Sequence, residues 1–389
     1  MITVFWTSLI VIIYTFVGYA LVLFVAVKIK RLFLKPQVFK LVPDDLPKVT
    51  LLIAAYNEED IITSKVNNTL ELSYPKDKMQ VIFITDGSTD STVERLKNID
   101  EITLLHQDIR AGKMAAIKRA IPFIQGDVTV FTDANTFLNK DAIFELVKHY
   151  QNNKVGAVAG EKRILVEEKA DASSAGEGFY WKYESALKKW DYELYSNVGA
   201  AGELFSIRTA LYQPVESDTI IDDHMIAMRI AEKGYIIAYE PNAYAIETAS
   251  ANTKEELKRK IRIAAGGIQS IFRLTKAANP FYYPILTFQY ISHRVLRWTI
   301  TPFLLILVFI LNGLIVANGG ALFYKILFGI QILFYLLSLL GLFFESKNIR
   351  IKVLFIPYYF CVMNYAVIAG IIRYFKKKQS AAWEKSVRR

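Results

Sequence analysis

Apolar residues fall into two patterns along this chain: nearly unbroken runs at both ends, and short apolar runs alternating with polar stretches between them. Residues 2–27 are apolar almost throughout, enough to cross a bilayer, which takes about 20 residues. Three more such spans lie at about 299–317, 321–344 and 353–373. In the middle, Val49–Ala55 reads as a buried strand and Glu59 to about Leu72 as a helix. Gln80–Thr85 is a second strand, Ser91–Asn98 a helix, Ile102–Leu105 a third strand, Lys113–Ile121 a helix and Asp127–Thr132 a fourth strand. Strand–helix alternation with apolar strands predicts an α/β domain whose sheet is mostly parallel and covered on both faces. Ligands of such sheets bind beyond the carboxyl ends of the strands. Tyr56, Asp86 and Asp133 each follow a strand directly, so this topology brings them to one rim.

The flanks of the apolar runs set a membrane topology. Lys28, Lys30, Arg31 and Lys35 follow the first run rather than precede it, and no small-residue cleavage site comes before them. That pattern predicts an uncleaved anchor with its basic side in the cytosol. Pro36, Pro43 and Pro47 then punctuate a linker. From Pro284 to Trp298, Gln289, His293 and Arg297 recur at helical spacing among apolar residues, which predicts an amphipathic helix in the membrane interface. The expected division is a transmembrane helix at 1–28, a cytosolic α/β domain at 29–283, the interface helix at 284–298, three transmembrane helices at 299–373 and a basic tail at 374–389. Four crossings put both termini outside and the basic 346–352 join in the cytosol, as the positive-inside tendency prefers. The basic tail does not fit that count, unless the last span is re-entrant.

Composition agrees with a membrane protein. The 389 residues are 53% hydrophobic and 22% charged, more apolar than an average soluble enzyme. The net charge of +10 is clustered beside the apolar spans, where it anchors to anionic head groups, so nucleic acid is not an expected partner. The lone Cys361 excludes an intrachain disulfide.

Four acidic landmarks carry the candidate chemistry: Asn57-Glu58-Glu59, Asp86-Gly87-Ser88, Asp133-Ala134-Asn135 and Asp222-Asp223. Asp133 and Asn135 straddle one residue, and at an extended strand end they point to the same side, as oxygen ligands of a hard divalent cation would. A turn or Asx cap accounts for the same two residues. Asp86-Gly87 is either a strand-ending turn or a hydrogen-bond acceptor for a nucleotide base or ribose. Gly112-Lys113 lets backbone approach a phosphate, with a point charge at a helix start; a solvated basic turn is the alternative. Asp222-Asp223 places two carboxylates side by side, the condition for raising one into the range of a general base. The pair also suits a helix N-terminus, and both readings hold together. Arg259 and Arg262, three apart on one helix side, could clamp a pyrophosphate, or else belong to a solvated helix face.

Taken together, these residues resemble the inverting family 2 glycosyltransferases with a GT-A catalytic domain, the group containing cellulose, chitin, hyaluronan and poly-N-acetylglucosamine synthases. The resemblance covers roughly residues 48–270, and the flanking membrane pattern matches too. It implies a Rossmann-like GT-A domain in which Ala55, Tyr56 and Glu58 line the nucleotide pocket with Asp86 and Lys113. Asp133-Ala134-Asn135 stands where the family's metal-binding Asp-x-Asp sits, so Asp133 and Asn135 are the implied ligands of Mg2+ or Mn2+. Gly199, Ala200, Gly202 and Glu203 resemble the acceptor-side segment, joined by Asp222. Asp223 matches the catalytic base, and Arg259 and Arg262 match positions in the Gln-x-x-Arg-Trp motif that bind the donor. Asn135 replaces an acidic ligand, Arg259 stands in place of Gln, and Ile263 stands where processive synthases carry Trp.

The implied activity is transfer of a sugar from a nucleotide-sugar donor, a UDP-sugar, to a saccharide or lipid-linked acceptor with inversion to a β-glycoside. The implied setting is a multi-pass plasma or inner membrane protein with its catalytic domain cytosolic. Trp181, Tyr183 and Trp190, in a predicted helix over 177–195, either cover the sheet and membrane surface or stack on sugar rings. Three C-terminal spans are few for a polymer channel, which leaves room for an accessory subunit or an oligomer. The alternatives are transfer to a polyprenyl phosphate, or a transporter or receptor with a nucleotide-binding domain. Against the last, the spans carry few of the charges that substrate pathways use.

Overall fold

The computed structural model describes residues 1–34, 45–165, 172–248, 253–347, 349 and 351–377. The basic tail beyond Lys377, and Lys35, Pro36 and Pro43 of the linker, lie outside the described residues.

The elements follow in chain order. The N-terminal run forms α1 (Ile2–Ile13) and α2 (Tyr19–Phe33), joined by a π-helical turn at Tyr14–Gly18. The middle contains β1 (Val49–Ala55), α3 (Glu59–Leu70), β2 (Met79–Asp86), α4 (Thr92–Leu96), β3 (Thr103–Gln107), α5 (Lys113–Ala120) and β4 (Val128–Asp133). It continues with β5 (Thr136–Leu138), α6 (Ala142–Val147), β6 (Val155–Leu165), α7 (Ala172–Leu194), β7 (Phe205–Arg208), α8 (Asp222–Ala231), β8 (Ile236–Thr248) and α9 (Thr253–Arg273). Then come α10 (Pro284–Tyr290), a π-helical segment at Ile291–Val295, α11 (Leu296–Trp298), α12 (Thr301–Ala317), α13 (Leu322–Ser346) and α14 (Lys352–Phe375).

Among the described residues, eight strands form one mixed sheet in the order β3-β2-β1-β4-β7-β6-β8-β5. The half built from the alternating segment, β3-β2-β1-β4, is wholly parallel. β7 then inserts antiparallel between β4 and β6, β6 and β8 run parallel, and β5 closes the edge antiparallel to β8. The strands alternate between two buried layers, as a two-period must. Leu51, Ile53, Val81, Phe83 and Val130 pack with Ile62 and Val66 of α3 and Leu146 of α6. Leu52, Ile82, Ile84 and Phe131 pack on the other face with Ile117, Met225, Met228 and Tyr290. The sheet is thereby covered on both sides.

Among the described residues, three helices are long and apolar enough to cross a membrane: Ile2–Phe33, Leu322–Ser346 and Val353–Phe375. Pro284–Trp298 and Thr301–Ala317 pass the same test as a pair bent by 60°, a broken span or a re-entrant loop. The polar stripe of the predicted interface helix points inward, at acidic residues of α7. Gln289 Nε2 donates to Asp191 Oδ1 at 3.1 Å, His293 lies between Asp191 (2.5 Å) and Glu184 (3.0 Å), and Arg297 donates to Glu184 at 3.1 Å. Tyr19 of the N-terminal helix donates to Asp191 as well. Buried polar groups need such partners, so α2, α7 and the 284–298 segment lock together through one acidic pair. Tyr183 and Trp190 are spent on the same junction: Tyr183 donates to Phe16 O at 2.7 Å, and Trp190 meets Phe24 edge-on at 5.5 Å. They therefore cover structure rather than stack on a ligand, and the side chain of Trp181 lies outside the described residues.

At one point α9 and α14 meet backbone to backbone. A Cβ on Gly370 would come within 2.6 Å of the Ala264 Cβ and 2.8 Å of Ile261 O, so only glycine permits this approach.

Candidate active site

The rim is built from the ends of β1, β2 and β4, with α8 and the 199–203 loop facing them. β4 stops at Asp133, and Ala134-Asn135 form the turn into β5. Asn135 therefore sits in a turn, and the same-side placement expected from an extended strand does not apply to it. Hydrogen bonds hold this turn from beneath. Thr136 Oγ1 donates to Asp133 O at 2.9 Å, and the fully buried Lys65 donates to Thr136 O at 2.6 Å and Thr132 Oγ1 at 3.3 Å. Burial pushes the Lys65 amine down to about 7, against the pull of Asp133. Thr132 Oγ1 in turn donates to Glu203 O at 2.8 Å, which ties the turn to the facing loop.

At the end of β2, Asp86 Oδ2 accepts from the backbone N–H of Ala111 (3.0 Å) and Gly112 (2.6 Å). Its buried Oδ1 has no hydrogen-bond partner and lies 3.6 Å from Arg119. Gly87, at φ +68°, lets the loop fold over it; a Cβ there would lie 2.7 Å from Arg110 N. Arg110 then lies over the Tyr56 ring at 3.8 Å. Ala55 is buried at the end of β1, and Glu58 caps the loop by donating its N–H to Thr92 Oγ1 at 2.8 Å.

Lys113 reaches from the first turn of α5 to Asp133 Oδ1 at 2.7 Å and lies 3.7 Å from Asp222 Oδ2. Burial opposes its charge, but Asp133 and then Asp222 outweigh that and hold its pKa above the ordinary lysine value. Asp222 and Asp223 open α8, and Asp223 Oδ1 accepts from the His224 N–H at 2.8 Å. Burial and then Asp222 push the Asp223 carboxyl up to about 7, with Lys113 pulling the other way. Gly202 faces this group. A Cβ on it would lie 3.4 Å from Asp223 Oδ2, 3.6 Å from Lys113 Nζ and 3.7 Å from Asp133 Oδ2. Asp133 and Lys113, 69 and 89 positions before Gly202, and Asp223, 21 positions after it, thus surround one small cradle. Gly199, at φ +132°, packs against His224, where a Cβ would meet Nδ1 at 2.4 Å; Ala200 packs on the second core beside it.

The two arginines separate. Arg259 donates twice to Glu256, at 3.1 Å each, and lies 3.9 Å from Glu203. Arg262 faces the aspartates: burial lowers its pKa, and Asp222, Asp223 and Asp133 oppose that in turn. Glu203 pairs with the buried Lys162, which also pairs with Glu247. Despite burial, Lys162 and Arg259 hold Glu203 well below the usual carboxylate range. The sequence reading missed Lys65 and Lys162. For Lys65 a signal existed, since it shares the apolar face of α3 with Ile62 and Val66.

Among the described residues, no three His, Cys, Asp or Glu side chains converge on a point able to hold a metal ion. The donors present are the Asp133 carboxylate at the cradle and Asn135 in the turn. They suit a hard cation that draws its remaining oxygens from phosphates, rather than an all-protein cage.

A parallel β3-β2-β1-β4 half, a carboxylate at the end of each of β2 and β4, and an acidic helix start facing them define a GT-A-like domain. A mannosyltransferase from Pyrobaculum calidifontis, solved in complex with GDP-Man and Mn2+, has the same fold: TM-score 0.72 and 23% identity over 97% of this chain and 100% of that one. Residues 50–210 match the family described as glycosyl transferase family 2. It is 28% identical over 240 residues to a poly-beta-1,6-N-acetyl-D-glucosamine synthase of Staphylococcus aureus, covering 59% of this chain and 57% of that protein. It is 31% identical over 215 residues to a beta-monoglucosyldiacylglycerol synthase of Nostoc sp., covering 51% of this chain and 44% of that protein. The chain spans about half the length of the curated relatives it matches.

Proposed function

We propose that the protein is a membrane glycosyltransferase that moves a sugar from a nucleotide-sugar donor, a UDP-sugar, to a saccharide or lipid-linked acceptor with inversion to a β-glycoside. The observation that carries this reading is the cradle at Gly202, where Asp133, Lys113 and Asp223 stand within 3.7 Å of one position. Asp86 Oδ1 accepts a hydrogen bond from the donor's base or ribose, in a pocket bounded by Ala55, Tyr56 and Glu58. Lys113 and Arg262 bring positive charge to the diphosphate, and Asp133 and Asn135 are the residues that would hold Mg2+ or Mn2+. The cation, when bound, stabilises the charge that develops on the leaving diphosphate. Asp223 takes the proton of the acceptor hydroxyl, a role worth roughly 10²–10⁴-fold in rate. Gly199, Ala200, Gly202, Glu203 and Asp222 form the acceptor side.

The catalytic domain faces the cytosol, where nucleotide sugars are made, and the apolar helices anchor it in the cell membrane. The test is release of UDP from a panel of UDP-sugars by the full chain in detergent. Asp223→Asn should cut turnover at least about a hundredfold with donor binding intact. Undiminished turnover in that variant would remove the base, and the absence of turnover with every nucleotide sugar would remove the function.

A further inference from the structure

The loop that leads into the bent helix pair carries two largely uncovered aromatic rings. Phe281 is 95% exposed and Tyr282 59%, and Ile285 in the first turn of α10 is 46% exposed. The loop itself is fixed. Phe281 N–H donates to Asn279 Oδ1 at 3.0 Å, Tyr282 N–H to Asn279 O at 3.1 Å, and Tyr283 Oη to Glu232 O at 2.8 Å. Rings held outward in this way keep their apolar area in water unless another apolar phase receives it.

Contacts with the N-terminal helix give the depth of the loop. Thr301 donates to Thr15 Oγ1 at 3.3 Å, Tyr14 and Ser292 share a hydrogen bond of 2.7 Å, and Phe288 meets the Tyr19 ring edge-on at 5.7 Å. Followed back from Thr301, the 284–298 segment therefore climbs beside that helix toward its basic end. Tyr19 lies nine residues before Lys28, about 14 Å at the helical rise. Phe281 lies seven residues before Phe288, about 10 Å at the same rise. It thus stands near the level where the apolar run of 2–27 gives way to Lys28, the level of the head groups if that run spans a membrane. Leu21 and Val25 of the same helix are 59% and 52% exposed, so protein does not close off this level. The exposed Lys276 has its Nζ 6.0 Å from the Tyr282 ring, which sets a cation beside the aromatic pair, as an anionic head-group layer favours.

We propose that Phe281 and Tyr282 are an aromatic footing that enters the head-group layer of the bilayer beside the N-terminal helix. The occupant is lipid, and the footing gives the catalytic domain a hold on the membrane besides its spans. This rests on reading residues 2–27 as a membrane span and on none of the proposed chemistry.

The experiment places single spin labels in the full chain, in a Cys361→Ser background, in nanodiscs containing an anionic lipid. Collisions with oxygen, which concentrates in the bilayer, are compared with collisions with a water-soluble nickel chelate. Glu94→Cys, exposed on α4, is the water-facing reference, and Ile10→Cys, exposed on α1, the lipid-facing one. Phe281→Cys should give an oxygen-to-chelate ratio several-fold above that of Glu94→Cys, at a depth within about 5–10 Å of the head-group boundary. Tyr282→Cys should do the same, and decides the matter should the first variant fail to fold. A ratio at both positions equal to that of Glu94→Cys, with Ile10→Cys in lipid, overturns this proposal alone. If Ile10→Cys also favours the chelate, the membrane reading falls and the proposal with it. Shielding of both positions from both reagents would mean that protein covers them, a second copy if the mass in detergent doubles, and overturns it too.

Discussion

Asp223 shows how little sequence is needed to set a pKa once the fold has closed around it. Burial and the adjacent Asp222 raise its carboxyl to about 7, while Lys113 pulls it down. A base must be ionised to work, so kcat/KM should fall as pH drops through about 7 and level off above it. Asp222→Asn removes the neighbouring like charge and should move that acid limb downward by about one unit. An unmoved limb in the pH–rate profile would break the assignment of Asp223. The acidic landmarks were legible because each chemistry-bearing residue follows a strand or starts a helix, which local pattern announces. Arg259 was legible as a charge but not in its role, since its partner Glu256 sits on its own helix and Glu203 lies 56 positions away. Lys162 was hidden for a stronger reason: Glu203 and Glu247, which hold it, lie 41 and 85 positions away.

Between elements, the acidic pair on α7 does the joining. Asp191 accepts from Tyr19 and Gln289 and lies against His293, while Glu184 lies against His293, pairs with Arg294 and accepts from Arg297. Removing one member of such a buried set leaves the others unsatisfied, at a cost of about 3–5 kcal/mol. Asp191→Ala should therefore lower the apparent Tm of the detergent-purified chain by several degrees, roughly 2–4 °C for each kcal/mol lost. An unchanged Tm would mean that the junction is not cooperative with the fold. The helical spacing of Gln289, His293 and Arg297 could be read in the sequence, whereas the direction of their face could not. Their partners lie 98 to 113 positions away, and an inward acidic pair and an outward head group look alike from one helix.

At the scale of the whole molecule, the parallel half-sheet could be read because strand–helix alternation demands it. The antiparallel insertion of β7 could not, because the alternation ends at β4 and nothing local fixes where a four-residue strand returns. The proposed topology is tested in a Cys361→Ser background with single-cysteine variants and an impermeant maleimide. Ser346→Cys, at the end of α13, should react from the face that carries the catalytic domain, and Asn318→Cys from the opposite face. Labelling of both from one face would rule out a crossing by α13. One contact reaches further than topology. Through the glycine at 370, α14 is clasped to the helix bearing Arg262, so a tilt of this candidate span should reach the arginine proposed to bind the donor. On the proposed function, membrane thickness should then influence the reaction. Turnover in nanodiscs should peak at one acyl-chain length, and Gly370→Leu, which forces the two helices apart, should flatten that peak.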